Sequence, residues 1–208
     1  MDRRKTRLME RRFAQSGLTE RKTLTEFDWG FNPKIPKKAC FELMTLKFLQ
    51  GGEDAVLIGA PGTGKSHIAK SVAHAAAVAG YRVLYREAHL LFPEIFEATQ
   101  LGIRQKKSRL FAEADLVVID DLFLRKKMPE DAADDLQEIV MNRYTARKST
   151  LITSNRVMDD WGKCLGDNAV SSAILDRLLH HGHLLKFEGK SYRLREASLR
   201  LAKNTGTD

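Results

Sequence analysis

A glycine-rich octapeptide that ends in Lys-Ser is the segment of this chain with the clearest chemistry. Residues 59–66, Gly-Ala-Pro-Gly-Thr-Gly-Lys-Ser, match the phosphate-binding pattern G-x-x-x-x-G-K-[ST]. The apolar segment 55–58 precedes them and a helix-like segment, 68–79, follows. A phosphate-binding loop requires this order of strand, loop and helix. The octapeptide therefore predicts a site for a nucleoside triphosphate.

Each part of the octapeptide has a predicted role in holding phosphates. Its glycines let backbone N–H groups surround an anion, and the helix N-terminus adds roughly half a positive charge. We expect Lys65 to reach the β- and γ-phosphates and act in catalysis, and the Ser66 hydroxyl to bind Mg²⁺. The predicted nucleotide-binding residues are Gly59, Ala60, Pro61, Gly62, Thr63, Gly64, Lys65, Ser66 and His67.

Two adjacent carboxylates form a second motif. Asp120 and Asp121 follow the apolar segment 116–119, about 55 residues after the loop. We expect Asp120 to hold Mg²⁺, directly or through water, and Asp121 to orient and polarise the attacking water. The alternative is that the pair caps a turn, which is the weaker interpretation after a phosphate-binding loop.

Two further polar residues each have two interpretations. Asn155 follows the next strand-like segment and could bond the γ-phosphate or the attacking water, or make an Asx turn. Arg177 lies in a helix-like segment and could form an ion pair with Asp176 or Asp159. It could instead enter the ATP site of a neighbouring subunit, where an arginine contributes on the order of 10³–10⁵ in rate.

Composition limits the class of protein. The 208 residues suffice for one α/β domain, and their formal net charge is +8. Residues 1–22 carry eight basic and three acidic residues, a net of +5, and residues 186–203 carry six and two, a net of +4. This clustering favours a polyanion such as nucleic acid over an ordinary solvated surface. Two distant cysteines argue against a disulfide scaffold, and no membrane-spanning apolar run is present, so the predicted location is the cytoplasm.

The hydrophobic pattern predicts a parallel sheet covered by helices on both faces. Helices are predicted at 2–15, at 37–50 and from Pro129 onwards. Aromatic residues alternate between 27 and 31, and they could stack on an adenine or seal an edge of the core, which is the commoner outcome. Strands alternate with helical segments, which places ligands at the carboxyl ends of the strands. The five predicted strands are 55–58, 82–86, 116–119, 150–153 and 183–187.

Several segments together resemble the IstB family, the ATP-dependent helper proteins of certain bacterial transposons. That family belongs to the AAA+ ATPases, in the clade of the helicase loader DnaC and the initiator DnaA. The resemblance covers about residues 20–196, and its later half is more diagnostic than the phosphate-binding loop. The matching segments are 23–28, 59–66, 118–122, 149–155, 160–162, 166–167, 173–181 and 189–194.

The resemblance implies a three-layer AAA+ P-loop NTPase. The expected five-stranded parallel sheet has the order 5-1-4-3-2, with no separate helical lid domain. Residues 1–22 are expected to be a basic helical extension, 23–196 the ATPase domain and 197–208 a tail. The resemblance also makes Lys65 and Ser66 Walker A, Asp120 and Asp121 Walker B, Asn155 a sensor, and it favours Arg177 as an arginine finger.

Two departures from the family qualify these expectations. Members usually carry a further N-terminal domain, whereas only about 20 residues precede the matching region, so DNA or transposase contact housed there is expected to be reduced. Many AAA+ proteins also have Glu where this chain has Asp121, and the shorter side chain predicts slow hydrolysis. The same Asp is common in the IstB family, so Asp121 is not interpreted as inactive.

Proteins of this clade insert an extra helix after the second strand and use it on DNA. The corresponding segment is 92–111, and its predicted phosphate-contacting residues are Arg104, Lys106, Lys107 and Arg109, with the N-terminal arginines second. Contacts of this kind position a protein on duplex DNA largely without sequence specificity.

The predicted function is that of an ATP- and Mg²⁺-dependent helper of DNA transposition. Subunits would assemble on duplex DNA as a homo-oligomer with interfacial ATP sites, and would regulate the transposase of the same mobile element. A DnaC-like loader of a replicative helicase is the alternative. A small-molecule kinase is disfavoured by the basic termini and by the lack of an obvious lid or substrate-base motif.

Overall fold

The sheet is parallel and has five strands. A computed structural model describes residues 3–124 and 128–204 of the chain. The strand order is β2-β3-β4-β1-β5, which is the predicted 5-1-4-3-2 order read from the opposite edge. The strands are β1 (Ala55–Gly59), β2 (Val83–Glu87), β3 (Leu116–Leu122), β4 (Ser149–Ser154) and β5 (His183–Phe187).

Helices connect the strands and cover both faces of the sheet. Those in the described part of the chain are α1 (Arg3–Ser16), α2 (Lys37–Met44), α3 (Lys47–Gly51), α4 (Lys65–Val78), α5 (Ala88–Gln100), α6 (Arg104–Glu113), α7 (Ala132–Thr145), α8 (Trp161–Leu165), α9 (Asn168–His180) and α10 (Tyr192–Asn204). None of them is long and apolar enough to cross a membrane.

Alternate residues of each strand enter two separate hydrophobic layers. On β1, Ala55 and Leu57 pack with α2, α3 and α4, whereas Val56 and Ile58 pack with α5, α7 and α9. This period of two follows from the pleat, which sends successive side chains to opposite faces. Because both faces are buried, the strands are continuously apolar, as the sequence predicts.

The predicted helix at 37–50 is wrong as a single element. It is interrupted between α2 and α3, where Leu46 adopts a left-handed conformation with φ of 60°. The Thr45 hydroxyl donates to the Glu42 carbonyl and accepts the N–H of Lys47, so it competes with the helical hydrogen bonds. The chain turns there and Leu46 enters the core.

The prediction that a helix starts at Pro129 is also wrong. Pro129 lies in a preceding turn, in which its carbonyl accepts the N–H of Ala132, and α7 begins at Ala132. The sequence favoured Pro129 because proline is common in first helical turns, but it is equally common in turns.

The terminal segments both pack on the domain. The predicted N-terminal helix is confirmed as α1, except that residue 2 lies outside the described chain, and Gly17 follows it with φ of 82°. Phe13 of α1 packs against the core beside α4. The proposed tail boundary at residue 197 falls within α10, and residues 205–208 lie outside the described chain.

Candidate active site

A cavity of about 510 Å³ opens at the carboxyl end of β1. Its walls come from the phosphate-binding loop and the start of α4, from the segment before α2 and from the start of α10. Its lining includes Phe27, Phe31, Ile35, residues 61–67, Asp121, Tyr192 and Arg193. The cavity therefore combines the polar groups of the loop with aromatic side chains, which suits a nucleotide with its phosphates and base.

Close contacts define the shape of the loop. Gly62 and Gly64 have φ of 78° and 104°, in the left-handed region that favours glycine. A Cβ at Gly64 would lie 2.4 Å from the ring of Phe27, and one at Gly62 would lie 2.1 Å from the Ser191 hydroxyl. The Tyr192 N–H donates to the Gly62 carbonyl at 2.9 Å, so the start of α10 rests directly on the loop.

Lys65 is buried at the start of α4. Its Nζ donates to the carbonyls of Gly59 at 2.8 Å and Ala60 at 2.9 Å. Burial lowers the pKa of Lys65, while Asp121 and Asp120 oppose that effect. Of the predicted nucleotide-binding residues, 61–67 line the cavity, whereas Gly59 and Ala60 instead hold the lysine.

Asp120 is buried at the end of β3, with both carboxylate oxygens already accepting hydrogen bonds. The hydroxyl of Tyr85 donates to one oxygen, and the Thr153 hydroxyl donates to the other at 2.5 Å. Only 2% of Asp120 is exposed, which favours the predicted contact with Mg²⁺ through water rather than direct ligation.

Asp121 lines the cavity together with Lys65 and Ser66 of the phosphate-binding loop. Its φ of 53° is unusual for a residue other than glycine, and its N–H donates to the Thr153 hydroxyl at 2.8 Å. Burial and the neighbouring Asp120 raise the pKa of Asp121, and Lys65 and Arg193 oppose the rise. A partly desolvated carboxylate beside these cations suits a group that polarises water.

Asn155 lies just beyond β4 with its Oδ1 buried and without a hydrogen-bond partner among the described residues. The alternative interpretation of Asn155, an Asx turn, is not observed, and instead the Ser154 hydroxyl accepts the N–H of Arg156 at 3.0 Å. Buried polar atoms in native proteins nearly always have partners, so Oδ1 is available to a water or ligand group.

Arg177 lies on α9 and does not line the cavity of its own chain. Its Nη1 donates to the Ala173 carbonyl at 2.8 Å. Among the described residues, Arg177 forms no ion pair with Asp159 or Asp176, so the alternative role considered for it is absent.

Three of the four predicted DNA-contacting cations form ion pairs, two of them within the insert formed by α5 and α6 and one from the insert to α7. Arg104 contacts Asp135 at 2.8 Å and Glu138 at 2.5 Å. Lys107 contacts Glu94 and Arg109 contacts Glu113, both at 2.6 Å. Lys106, the fourth cation, is exposed and forms no ion pair with any residue that the structure describes.

The fold brings to the site several residues to which the sequence gave no role, and also Phe31, for which the sequence left adenine stacking and core packing open. Arg193 reaches the cavity from α10, and Phe31 and Tyr192 meet edge to face with ring centroids 5.4 Å apart. Tyr85 and Thr153 contact the acidic pair. The segment 189–194 was part of the family resemblance, which was the available signal for Arg193, but its position over the loop depends on the fold.

The oxygen donors at this site fit a magnesium–nucleotide complex. Ser66, Asp120 and Asp121 supply hydroxyl and carboxylate oxygens, the ligands that Mg²⁺ prefers alongside water and phosphate. Asn155, with its buried and unpartnered Oδ1, follows the adjacent strand β4 but is not among the residues that line the cavity.

Comparison with known proteins identifies a family. The sequence model described as "IstB-like ATP binding protein" matches residues 1–200. A protein of insertion sequence IS5376 from Geobacillus stearothermophilus, named for ATP binding, is 36% identical over 88% of this chain and 72% of its own length. A protein of insertion sequence IS21 from Pseudomonas aeruginosa, likewise named for ATP binding, is 36% identical over 90% and 70%, respectively.

Solved structures share the fold. DnaA from Aquifex aeolicus, bound to AMPPCP, has a TM-score of 0.67 and 23% identity, covering 90% of this chain. This chain spans 56% of that DnaA chain. The DnaC helicase loader has a TM-score of 0.61 and 21% identity, covering 86% of this chain and 99% of the loader. The predicted AAA+ fold is confirmed.

Proposed function

The chain belongs to the IstB-like ATP-binding protein family, and from that membership and the geometry of its cavity we propose that it is an ATPase that assists DNA transposition. ATP would bind in the cavity with its phosphates at the loop and its base between the aromatic residues. Mg²⁺ would be held by Ser66 and Asp120 and would neutralise phosphate charge.

The observation that carries this proposal is that Lys65 and Asp121 line the same nucleotide-sized cavity. Lys65 is held by two loop carbonyls and can exchange those bonds for phosphate oxygens. Asp121, which lines the cavity, would polarise the water that attacks the γ-phosphate. Asn155 is not in the cavity lining, but its buried and unpartnered Oδ1 supports a role as a second group that orients this water. Arg193 adds positive charge from α10.

A second subunit would complete the site. The described part of the chain supplies the loop, the acidic pair and Arg193, but Arg177 lies outside its own cavity. An arginine supplied from a neighbouring subunit stabilises the charge of the transition state and typically contributes 10³–10⁵ in rate, as an order-of-magnitude range. We therefore propose a homo-oligomer in which Arg177 enters the adjoining ATP site.

Duplex DNA is the proposed polyanion, and the edge of the sheet at β2 is its proposed contact surface. Arg86 of β2 donates to the Ser16 carbonyl at the end of α1 and to Glu94, which also binds Lys107 of α6. This network joins the two basic segments, α1 and the insert, at one edge. Exposed Arg7 and Arg11 of α1 would extend the surface beside the insert.

The proposed partner is the transposase of the same mobile element, because the relatives named above belong to insertion sequences. The ATP-bound assembly would present target DNA to that enzyme, and hydrolysis would release it. A DnaC-like helicase loader remains the second candidate because the loader shares the fold over 99% of its length. Co-purification with a transposase or with a replicative helicase distinguishes the two.

The central experiment measures ATP hydrolysis against protein concentration, with and without duplex DNA. Specific activity should rise with concentration, because each site needs a neighbour, and should rise again with DNA. Lys65→Ala should prevent nucleotide-dependent assembly, whereas Arg177→Ala should abolish hydrolysis and leave nucleotide binding intact.

A mixing experiment provides the matched control for the shared site. Inactive Lys65→Ala and inactive Arg177→Ala subunits, when mixed, should form some interfaces with one intact loop and one intact arginine, and so regain part of the activity. If Arg177→Ala alone hydrolyses ATP at the normal rate, the shared-site proposal is wrong.

A further inference from the structure

One buried hydroxyl contacts both members of the acidic pair. Building on the proposed ATPase function, we propose that Thr153 is a positioning residue that sets Asp120 and Asp121 together, with Tyr85 as its partner on Asp120. The sequence predicted no role for Tyr85 or for Thr153, although Thr153 lies in the matching segment 149–155. Both are side chains of neighbouring strands that lie beside β3.

The hydrogen bonds of Thr153 have a defined direction. The Asp121 N–H donates to Thr153 Oγ1 at 2.8 Å, so the hydroxyl accepts on that side. A hydroxyl has one proton, and the carboxylate of Asp120 can only accept, so Thr153 donates to Asp120 Oδ1 at 2.5 Å. The two residues of the pair are thus coupled through a single O–H group.

Tyr85 fixes the second oxygen of the same carboxylate. Its hydroxyl donates to Asp120 Oδ2 from the adjacent strand β2, and the tyrosine is 4% exposed. With both oxygens held, the Asp120 carboxylate cannot rotate, and its orientation toward the loop is set before any ligand binds. Such outer-shell partners of metal-binding groups typically affect metal affinity or activity by about 10–100-fold.

The contact with Asp121 has a different consequence. Asp121 has a φ of 53°, in a region that residues other than glycine rarely occupy, at the bulge where β3 shifts register against β4. The bond to Thr153 is what holds the Asp121 N–H in that geometry. Without it, we expect the backbone to relax and the carboxylate to leave the cavity.

The test compares Thr153→Val, which keeps the shape but removes the hydroxyl, with Thr153→Ser, which keeps the hydroxyl. Binding of a fluorescent ATP analogue is measured in EDTA and in Mg²⁺, alongside kcat, KM and thermal unfolding of the full chain. We expect Thr153→Val to bind the analogue in EDTA as tightly as the wild-type protein. In Mg²⁺ its affinity should be about 10-fold weaker than that of the wild type, and its kcat should be about 100-fold lower. Thr153→Ser should recover most of both.

Tyr85→Phe separates the two contacts. It should lower the Mg²⁺-dependent affinity as Thr153→Val does, but should affect kcat less, because the bond to the Asp121 backbone remains. The proposal is overturned if Thr153→Val keeps the wild-type Mg²⁺ dependence. It is also overturned if Thr153→Ser is as impaired as Thr153→Val, or if affinity in EDTA falls equally, since each outcome assigns the effect to packing.

Failure of this proposal differs from failure of the proposed function. A wild-type protein that binds the analogue with Mg²⁺ but never hydrolyses ATP contradicts the proposed ATPase, while the binding comparison still tests the hydroxyl. If the wild-type protein hydrolyses ATP and Thr153→Val hydrolyses it at the same rate with the same Mg²⁺ dependence, only the proposed role of the Thr153 hydroxyl is contradicted.

Discussion

The ion pairs of the insert predict that its four cations contribute unequally to DNA binding. Lys106 is exposed with no recorded ion pair in the described chain, whereas Arg104 is held by both Asp135 and Glu138. The hydrogen bonds that Arg104 donates to Glu138 and Asp135 raise its pKa, so the guanidinium stays charged while the two carboxylates balance its charge. Lys106→Ala should therefore weaken DNA binding, whereas Arg104→Ala should hardly change the salt-dependent, electrostatic contribution to DNA affinity.

The magnitude follows from counterion release. Each phosphate contact contributes about 0.9 to the slope of log affinity against log salt concentration. Between 50 and 200 mM salt, a fourfold change, one contact corresponds to about 3.5-fold in affinity. Lys106→Ala should lower the slope by about 0.9, and Arg104→Ala by about zero.

Arg109 should give an intermediate result. Its side chain is 80% exposed and its ion pair with Glu113 spans one helical turn. Exposed pairs of this type are worth about 0.3–0.5 kcal/mol, so a phosphate can displace the glutamate at small cost.

Fluorescence anisotropy of a labelled duplex at several salt concentrations measures these slopes. Lys38→Ala is the matched control, because it removes one exposed charge from α2, on the opposite face of the sheet from the insert. Equal loss of slope for Arg104→Ala and Lys106→Ala would contradict the argument from ion pairs. An unchanged slope for Lys106→Ala would remove the insert from the proposed DNA surface.

Three further predictions concern the cavity and the core. Gly64→Ala should lower the free energy of unfolding, measured by urea titration, by about 2–4 kcal/mol, because the new Cβ is strained in the left-handed conformation and overlaps the Phe27 ring. Adding Phe27→Leu to this variant should recover part of the loss. If nothing is recovered, the overlap with Phe27 is not the cause. Asn32→Ala removes both hydrogen bonds between the Asn32 amide and the Lys190 backbone, so the start of α10 should loosen and the affinity for an ATP analogue should fall several-fold. An unchanged affinity would show that these two bonds do not support the site. Burial raises the pKa of Asp54 from 3.8 to about 6, so the folded state binds more protons than the unfolded state between those pH values. The free energy of unfolding should therefore fall by up to about 3 kcal/mol as the pH rises from 4 to 6. Asp54→Asn should flatten this pH dependence, and an equal dependence in the variant would contradict the argument.

Local patterns carried much of the fold prediction. The five strands were placed within a few residues of their observed bounds because buried strands are continuous apolar runs with turn residues between them. The break at Leu46 and the start of α7 were missed because they depend on a threonine hydroxyl and a proline turn, whose effects compete with helical periodicity.

The sequence by itself determined the phosphate-binding loop and the acidic pair, because each motif depends on residue types only a few positions apart. The order of the strands that brings the two motifs together was implied by the family resemblance, and the structure has that order.

Only the tertiary structure decided which partners those groups have. It placed Arg193 at the cavity from about 130 residues beyond the loop, paired three of the four insert cations with carboxylates, and set Tyr85 and Thr153 on Asp120. Such contacts join segments that lie far apart in sequence, and they depend on how the strands align and how the helices pack. No local pattern encodes that alignment.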